Sequence, residues 1–483
     1  MATDLVQYQL YIDGEFRDAE GGATFRSTSP YTGEDWAELA EAQAVDVEAA
    51  IDAARRAFDD SWWRRDHQRR AQVMRDFSDL LEANKQRLGL IGSRDNGKLV
   101  REMTGMATIL PRFFRYFSEV ADHIHGQVIR GADPNVFGYT LREPYGVVAF
   151  QTPWNSPLVI FAQGGAPALA AGNTIVLKPS EFASCTTIEM AKLAHEAGFP
   201  PGVLNVVTGF GHVVGAALCS SNKVDKIAFT GSPEGGRIVG AQAARTLTPT
   251  VMELGGKSAN IVFADANLDK AVEAVFAGFT ASSGQSCVCG SRALIEAGIH
   301  DQVVERLADM AKGLKLGDPS DPQTQVGPFC TAAQLDKVGG LVTVAKGEGA
   351  RLVAGGQRPA GLDGWFFEPT IFADVDENMA IAQEEVFGPV LSVIKFDTEE
   401  DAIRIANNSV YGLAAGLWTS NLGRAHRLAA ELRAGTIWIN QYRRGDAAFP
   451  FGGRGDSGFG RQSGEDAILE FTTVKSVQVD TSV

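Results

Sequence analysis

The sequence contains few of the residues that form disulfide bonds and metal centres. Its 483 residues include only seven histidines and five cysteines, an odd number spread thinly along the chain. A disulfide-stabilised secreted protein has many more cysteines for its length, so this composition favours a reducing compartment, the cytoplasm. Cys287 and Cys289 have no further Cys or His near them at zinc-binding spacing, and we predict no metal site.

The sequence also lacks an excess of positive charge and a long apolar run. Its formal net charge is −15 at pH 7, which is unsuited to binding the phosphate backbone of a nucleic acid. The most apolar stretch, residues 157–177, is interrupted by glycines, Gln163 and Asn173, so no membrane helix is predicted. The N-terminus has no basic run followed by an apolar region, and we expect no signal peptide.

From about residue 145 onward, apolar segments of strand length alternate with helical segments. The helical segment 186–198, for example, ends at Gly198 and is followed by Pro200. This alternation indicates a parallel α/β sheet, which binds ligands at the carboxyl ends of its strands. The predicted strands are 147–151, 173–179, 203–209, 226–232, 260–265, 350–356, 391–397 and a terminal 470–482, with helices at 44–60, 67–91 and 211–221 and a hairpin at 8–18 around Asp13-Gly14.

Three short motifs contain residue types that carry chemistry. GQSC at 284–287 surrounds Cys287 with small residues that leave room for a substrate, although a buried structural cysteine is the alternative. Glu253, which begins ELGGK, is either a general base or a surface glutamate at a strand end. Asn155, which ends PWN, either donates to a developing oxyanion or lies in a turn.

A fourth motif is split between two predicted strands. KPSE at 178–181 and FTGS at 229–232 each follow a strand of the α/β series, where they could contact ribose hydroxyls and phosphate. The glycine-rich segment 209–215 resembles a dinucleotide-binding loop only loosely, and such a match alone is weak.

In this order, the four motifs resemble those of the aldehyde dehydrogenase superfamily, and the resemblance covers nearly the whole chain. The interval of 34 residues between Glu253 and Cys287 also matches that family. Further matches are EEVFGP at 384–389, WIN at 438–440, PFGG at 450–453 and SGFGR at 457–461.

The resemblance implies an α/β fold with three parts. A Rossmann-like, parallel-sheet NAD-binding domain is expected at 1–122 and 145–255, and an α/β catalytic domain at 256–456. A small β element for oligomerisation and bridging is expected at 123–144 and 457–483. Members of the family usually form dimers or tetramers, so a homodimer or homotetramer is expected.

The resemblance also implies a mechanism. Cys287 would attack the aldehyde carbon, and the amide of Asn155 with the backbone N–H of Cys287 would hold the oxyanion. After hydride transfer to the nicotinamide, Glu253 would activate water to hydrolyse the thioester. The partner of this enzyme would be a small-molecule aldehyde.

NAD is the expected cofactor, with weaker use of NADP possible. The carboxylate of Glu181 would accept the 2′-hydroxyl of the adenosine ribose and repel a 2′-phosphate, whereas Lys178 could tolerate one. Glu385 and Phe387 would orient the nicotinamide ribose and ring. The residues expected to bind the cofactor are Thr152, Pro153, Trp154, Lys178, Ser180, Glu181, Gly211, Phe229, Gly231, Ser232, Leu254, Gln334, Glu385 and Phe387.

The chain departs from many relatives in its substrate region. Ser156 replaces an aromatic residue, Gln163 and Gly164 replace a bulky aromatic and a lysine, and Gln462 replaces a glutamate. We therefore expect a wider, more polar tunnel, and a Glu253 that acts without the lysine–glutamate proton relay of some relatives. The residues expected to contact substrate are Ser156, Ile160, Gln163, Ser286, Val288, Arg444, Gly445 and Phe451.

Several alternatives stay open at this point. Arg443 and Arg444 near the tunnel mouth could hold the carboxylate of a semialdehyde, although two solvent-facing or interface-paired arginines are the simpler interpretation. A CoA-acylating dehydrogenase is disfavoured by the presence of Glu253, and a thiol esterase would act without cofactor. A catalytically silent binding protein on the same fold is a further possibility.

Overall fold

The computed structural model of the chain describes residues 5–482 and contains the hairpin predicted near the N-terminus. Leu10–Ile12 pairs antiparallel with Glu15–Arg17. Asp13 and Gly14 have φ angles of 55° and 80°, which is the combination that a type I′ turn requires. The local sequence therefore determines this turn.

The hairpin forms one edge of an eight-stranded sheet whose centre is parallel. Five strands between Val147 and Glu253 run parallel, because the segments between them return the chain to the end of the sheet at which the previous strand began. Every residue of Val147–Thr152 and Thr174–Pro179 is buried, as expected for strands covered by helices on both faces. The order of strands is Gly458–Phe459, Thr250–Glu253, Lys226–Thr230, Val147–Thr152, Thr174–Pro179, Leu204–Val206, Leu10–Ile12 and Glu15–Arg17.

A second sheet has seven strands and is parallel except at one edge. The predicted strand at 350–356 forms that edge as Arg351–Ala354, which pairs antiparallel with its neighbour and contains a register shift. The order of strands is Arg351–Ala354, Thr370–Ala373, Val390–Phe396, Arg292–Glu296, Ala259–Val262, Ala414–Trp418 and Thr436–Ile439. Two parallel α/β sheets confirm the predicted fold class.

Two small sheets complete the β structure of the described residues. The terminal strand Thr472–Asp480 pairs along its whole length with Val136–Pro144, which also pairs with Val128–Arg130. Val6–Tyr8, Asp35–Ala40 and Thr24–Thr28 form the other small sheet.

Helices cover both large sheets, and side-chain caps begin several of them. Asp66, Ser232 and Asn267 each accept a hydrogen bond from a backbone N–H in the first turn. The predicted helix at 211–221 begins with a π-helical turn, Gly211–Gly215. The α-helices are Ala44–Asp60, His67–Asn96, Val100–Glu119, Pro157–Ala170, Cys185–Glu196, Ala216–Ser220, Pro233–Thr246, Leu268–Thr280, His300–Lys312, Ala332–Gly347, Ala380–Gln383, Glu399–Asn407, Leu422–Glu431 and Ala467–Glu470.

Within residues 5–482, no helix combines the length and the apolar character that crossing a membrane would require.

Candidate active site

A cleft of about 160 Å³ brings together residues from both large sheets. Most of the residues predicted to act in catalysis or to contact the nicotinamide line it, so motifs far apart in sequence meet at one place. The predicted residues in its lining are Pro153, Trp154, Asn155, Ile160, Gly231, Ser232, Leu254, Cys287, Gln334, Glu385 and Phe387.

Cys287 lies in a tightly constrained loop. Ser282 and Ser283 have left-handed backbone conformations, with φ angles of 58° and 54°, which non-glycine residues rarely adopt. A carboxylate oxygen of Glu102 accepts a hydrogen bond of 2.6 Å from the backbone N–H of Ser282 and helps to hold this conformation. Gly284 is required here, because a Cβ atom would lie 2.1 Å from the carbonyl of Gly388.

The side chain of Cys287 is half-buried, and charged groups lie near its thiol. Burial raises the pKa of Cys287 to about 12, and the carboxylates of Glu385 and Glu253 add to the rise. The positive charge of Arg443 and the backbone N–H of Val288 oppose that rise in pKa. The backbone N–H of Cys287 itself donates to no group among the described residues, so it is free to donate to a substrate oxygen.

Asn155 is held close to the cysteine loop from two directions. Its side-chain amide donates to the carbonyl of Gln285 at 3.3 Å. The buried ammonium of Lys98 donates to the backbone carbonyl of Asn155 and lies 3.4 Å from the hydroxyl of Ser156. The amide of Asn96 donates to the carbonyl of Trp154 at 2.8 Å. The turn after helix His67–Asn96 therefore fixes the position of the PWN motif.

Glu253 is the last residue of its strand and is buried. Both of its carboxyl oxygens lack a hydrogen-bond partner among the described residues. Burial raises the pKa of Glu253 well above its usual range; Arg461 opposes this shift, and Glu470 adds to it. A carboxyl with free oxygens in this setting is suited to binding a water molecule and taking its proton.

The two glycines that follow Glu253 let the two sides of the cleft approach closely. A Cβ atom on Gly255 would lie 2.4 Å from a carboxylate oxygen of Glu385, and one on Gly256 would lie 2.3 Å from the carbonyl of Cys287. The backbone N–H of Gly256 also donates to Glu385 at 2.8 Å. Side chains at these positions would force Glu385 and the backbone of Cys287 away from this segment.

The predicted nicotinamide residues form an ordered group. Phe387 has a φ of 56°, and its ring meets that of Trp154 edge-to-face with centroids 5.3 Å apart. The side-chain amide of Gln334 donates to the carbonyls of Val386 and Phe387 at 2.9 and 3.0 Å. Burial raises the pKa of Glu385 to about 7. This arrangement offers a flat apolar surface beside a carboxylate, which fits a nicotinamide and its ribose.

The residues predicted to hold the adenosine half lie at the carboxyl ends of neighbouring strands. The ammonium of Lys178 donates to the carbonyl of Pro179 at 2.9 Å and pairs with the half-buried Glu181 at 3.4 Å. Ser232 caps helix Pro233–Thr246, whose N-terminus is suited to a phosphate group. A Cβ atom on Gly231 would lie 2.6 Å from the ring of Phe229, so a larger residue at that turn would have to displace the ring. Ser180 is half-buried, Gly211 is exposed and Thr152 is buried.

The predicted substrate residues do not all lie at the cleft. The hydroxyl of Ser156 donates to the carbonyl of Asn155 at 2.7 Å, and Ile160 lines the cleft. Ser286 is buried, whereas Gln163, Val288 and Phe451 are half-buried. Arg444 and Gly445 are exposed, and of the eight predicted substrate residues only Ile160 appears in the described lining of the cleft.

The two adjacent arginines therefore differ in their surroundings. Arg444 is exposed, as the simpler interpretation expected. One terminal nitrogen of Arg443, Nη1, is buried and has no hydrogen-bond partner among the described residues. The solvent-facing interpretation does not hold for that nitrogen.

The replaced relay positions contact one another. A Cβ atom on Gly164 would lie 3.0 Å from the amide nitrogen of Gln462, so the lack of a side chain at one position makes room for the other. The Gln462 backbone also pairs with Phe451. The proton relay of some relatives has no lysine and no glutamate at these positions of the chain.

Sequence reasoning missed four residues at or beside the site. Thr230, Gly255 and Lys337 line the cleft, and each had a signal: two adjoin predicted residues, and Lys337 lies one helical turn after Gln334. Lys98 had none, because only the folded structure brings it beneath Asn155.

Comparisons with known proteins agree with this geometry. A sequence model described as the aldehyde dehydrogenase family matches residues 16–477. The chain is 45% identical to the (Z)-2-((N-methylformamido)methylene)-5-hydroxybutyrolactone dehydrogenase of Acinetobacter baylyi, over 98% of this chain and 96% of that protein. It is 43% identical to the aldehyde dehydrogenase family 2 member C4 of Arabidopsis thaliana, over 97% and 94% of the two chains.

Solved structures are similar to it as well. The NAD-dependent aldehyde dehydrogenase of Sinorhizobium meliloti superposes with a TM-score of 0.97 at 40% identity, over 99% of this chain and 95% of that one. An NAD⁺ complex of an aldehyde dehydrogenase from Bacillus cereus superposes with a TM-score of 0.96 at 41% identity, over 98% and 96%.

Proposed function

The chain belongs to the aldehyde dehydrogenase family and is an NAD-dependent oxidoreductase that oxidises an aldehyde; from that premise, we propose that Cys287, Asn155 and Glu253 are its catalytic residues. The observation that carries the proposal is that Asn155 and Cys287, with its free N–H, line one cleft, while the carboxylate of Glu253 is near enough to raise the pKa of the Cys287 thiol. The product is the carboxylic acid, formed through a thioester on Cys287.

In the first step, the thiol of Cys287 loses its proton to water, the thiolate sulfur bonds to the aldehyde carbon, and the carbonyl oxygen becomes an alkoxide. An aldehyde has no leaving group, so this covalent step creates the species from which hydride can depart. The amide of Asn155 and the N–H of Cys287 are the donors for the alkoxide. Lys98 holds the backbone of Asn155, so its amide needs little rearrangement.

In the second step, Glu253 takes a proton from water, and the hydroxide attacks the thioester carbon. The sulfur of Cys287 departs as the thiolate, and the acid is released. The free oxygens of Glu253 support this role. Glu253 does so without the lysine–glutamate relay, because the chain has Gly164 and Gln462 at those positions.

The cleft fits NAD, which supplies the acceptor for the departing hydride when it is bound. Trp154, Phe387 and Glu385 would hold the nicotinamide and its ribose, and the capped helix start at Ser232 would hold a phosphate. Glu181 would accept the adenosine 2′-hydroxyl, which favours NAD over NADP. The further cofactor contacts in the proposal are Thr152, Pro153, Lys178, Ser180, Gly211, Phe229, Gly231, Leu254 and Gln334.

The proposed substrate wall consists of Ser156, Ile160, Gln163, Ser286, Val288 and Phe451. The comparisons do not favour a catalytically silent protein. Nor do they favour an anionic substrate held by Arg443 and Arg444 together, and the exposure of Arg444 also weighs against the latter.

The domain division, the assembly and the location stay proposals too. We propose the NAD-binding domain at 1–122 and 145–255, the catalytic domain at 256–456, and oligomerisation segments at 123–144 and 457–483.

The sheet in those last segments supports a homodimer or homotetramer through its exposed apolar side chains, and light scattering after size exclusion would measure the mass. The five free thiols support a reducing compartment such as the cytoplasm. The exposed apolar side chains of the sheet in the proposed oligomerisation segments are Val128, Ile129, Phe137, Leu141, Val474 and Val479.

Rapid-mixing measurements of NADH test the division of labour. Wild type should turn over steadily with an aldehyde and NAD, whereas Glu253→Gln should give one equivalent of NADH per active site and then turn over about 10²- to 10⁴-fold more slowly. An acyl group should remain on Cys287, visible by mass spectrometry. Steady turnover of the variant at the wild-type rate would overturn the role of Glu253.

A further inference from the structure

Arg443 stands out among the charged residues near Cys287. Its Nη1 nitrogen is buried and has no hydrogen-bond partner among the described residues. Its positive charge opposes the rise in pKa of Cys287 and of Cys289. Arg443 as a whole is half-buried, so the desolvation cost falls on this one nitrogen, and a ligand that accepts its hydrogen bond can remove that cost.

The loop around Arg443 holds this residue firmly on the side of the nucleophile. The hydroxyl of Tyr442 donates to the carbonyl of Val288, the residue after Cys287, at 3.1 Å. A Cβ atom on Gly290 would lie 3.0 Å from the Tyr442 ring, so that ring is seated against the cysteine loop. Arg443 itself has a left-handed backbone with a φ of 58°, which is unusual for a long side chain and is found at functional sites.

Two neighbouring cations, Lys98 and Arg444, differ from Arg443 in this respect, whereas the buried ammonium of Lys257 also has no hydrogen-bond partner among the described residues. Lys98 is also buried near Cys287, but its ammonium donates to the carbonyl of Asn155 and lies 3.4 Å from the hydroxyl of Ser156. Arg444 is adjacent in sequence but exposed, where water serves as its partner. Of Lys98, Arg444 and Arg443, it is Arg443 that combines a buried nitrogen with an unused donor.

We propose that Arg443 binds a carboxylate at the far end of the aldehyde substrate, so that the enzyme acts on oxo acids whose aldehyde carbon reaches Cys287. This inference rests on the proposed function and names its substrate class. A planar guanidinium pairs with a carboxylate through two parallel hydrogen bonds.

The alternative role for Arg443 is to stabilise the thiolate of Cys287, and matched substrates separate the two roles. The measurement is kcat/KM with NAD for 4-oxobutanoate against butanal, and for 4-formylbenzoate against benzaldehyde, in wild type, Arg443→Met and Arg444→Met. Thermal melting monitors folding of each variant. Arg444→Met is the control, because it removes the same charge from the adjacent position.

Wild type should prefer at least one of the two oxo acids over its neutral counterpart. Arg443→Met should lower kcat/KM for that oxo acid by about 30-fold or more and change the neutral aldehyde by less than threefold. Arg444→Met should change both by less than threefold. Equal losses on both members of a pair, or a wild-type preference for both neutral aldehydes, would overturn the proposal. If no aldehyde reduces NAD with folded wild type, the proposed function fails instead.

A second measurement does not depend on turnover. Succinate should slow the alkylation of Cys287 by iodoacetamide in wild type and in Arg444→Met, but not in Arg443→Met, whereas butyramide should protect none of them. Protection by succinate that survives Arg443→Met would place the anion elsewhere and overturn the proposal.

Discussion

The two sides of the cleft are built by opposite ends of their strands. On the side of the eight-stranded sheet, Asn155 follows Val147–Thr152 and Glu253 ends Thr250–Glu253, so the carboxyl ends of parallel strands supply the site. On the other side, Cys287 precedes Arg292–Glu296 and Phe387 precedes Val390–Phe396, so the residues stand before the amino ends of their strands.

The two sides also differ in backbone conformation. Ser282, Ser283 and Phe387, all on the cysteine side, have left-handed φ angles of 58°, 54° and 56°. Such residues persist where the surroundings hold them, and they often mark functional loops. The strand ends of the first side are regular by comparison. The first side therefore provides a general binding edge for a nucleotide, whereas the second provides a specifically shaped loop for the nucleophile.

The sharpest test of this difference compares two cysteines of the second side. Cys287→Ala should lower kcat by about 10⁴-fold or more, because it removes the nucleophile. Cys289→Ala should lower it by less than about tenfold, because Cys289 is buried in an apolar cluster. NADH formation with a single aldehyde measures both. If the two variants lost kcat to a comparable extent, the shape of the loop, and not attack by the sulfur of Cys287, would determine the rate.

On the first side, Asn155→Ala tests whether a strand end also contributes to the chemistry. Loss of one oxyanion donor should lower kcat by about 10²- to 10³-fold. The burst of NADH should slow by the same factor, because the donor acts before hydride departs. A change confined to the KM for NAD would reduce Asn155 to a cofactor contact and make the first side a binding edge only.

This comparison also explains how far the sequence could lead. Parallel strands bind ligands at their carboxyl ends, so the alternating pattern alone indicated where Asn155, Lys178 and Ser232 would meet. No such rule covers the loop of Cys287, and there only the resemblance of motifs pointed to the site.

There is a physical reason why the sequence alone could not assign roles to Lys98 and Arg443. The role of Lys98 depends on the partner that folding brings to it, and that of Arg443 on a nitrogen left without one. Local sequence carries no record of either. Arg443 and Arg444 are the same type of residue at adjacent positions, yet Arg443 has a buried nitrogen and Arg444 is exposed.

Lys98→Met tests whether the first side must be held in place from outside the sheet. Losing the ammonium that holds the carbonyl of Asn155 should lower kcat by about 10- to 100-fold, as a small misplacement of a catalytic group does. The KM for NAD should change little. Lys98→Arg keeps the charge and should recover part of the rate. Equal loss in both variants, with a lower melting temperature, would indicate a role in packing alone.

The raised pKa of Glu253 predicts the pH dependence of hydrolysis. A general base must be deprotonated, and burial moves the pKa of Glu253 well above its usual range. Below that raised pKa, kcat should therefore increase about tenfold per pH unit and then level off. The single-turnover burst should follow a different pH profile, because it precedes the action of Glu253. A kcat that is flat from pH 5 upward would contradict the assignment.

The smallest effect is expected where the first side meets the adenosine ribose. Glu181→Ser removes a half-buried carboxylate that pairs with Lys178 at 3.4 Å, which frees the ammonium to face a 2′-phosphate. The ratio of kcat/KM for NAD to kcat/KM for NADP should fall by about tenfold. This fall should come from changes in the KM values for the two cofactors, with little change in kcat. The Lys178→Met variant should shift the ratio the other way. If Glu181→Ser leaves the ratio unchanged, the adenosine ribose does not contact Glu181. The cofactor contacts of the first side would then end at Ser232.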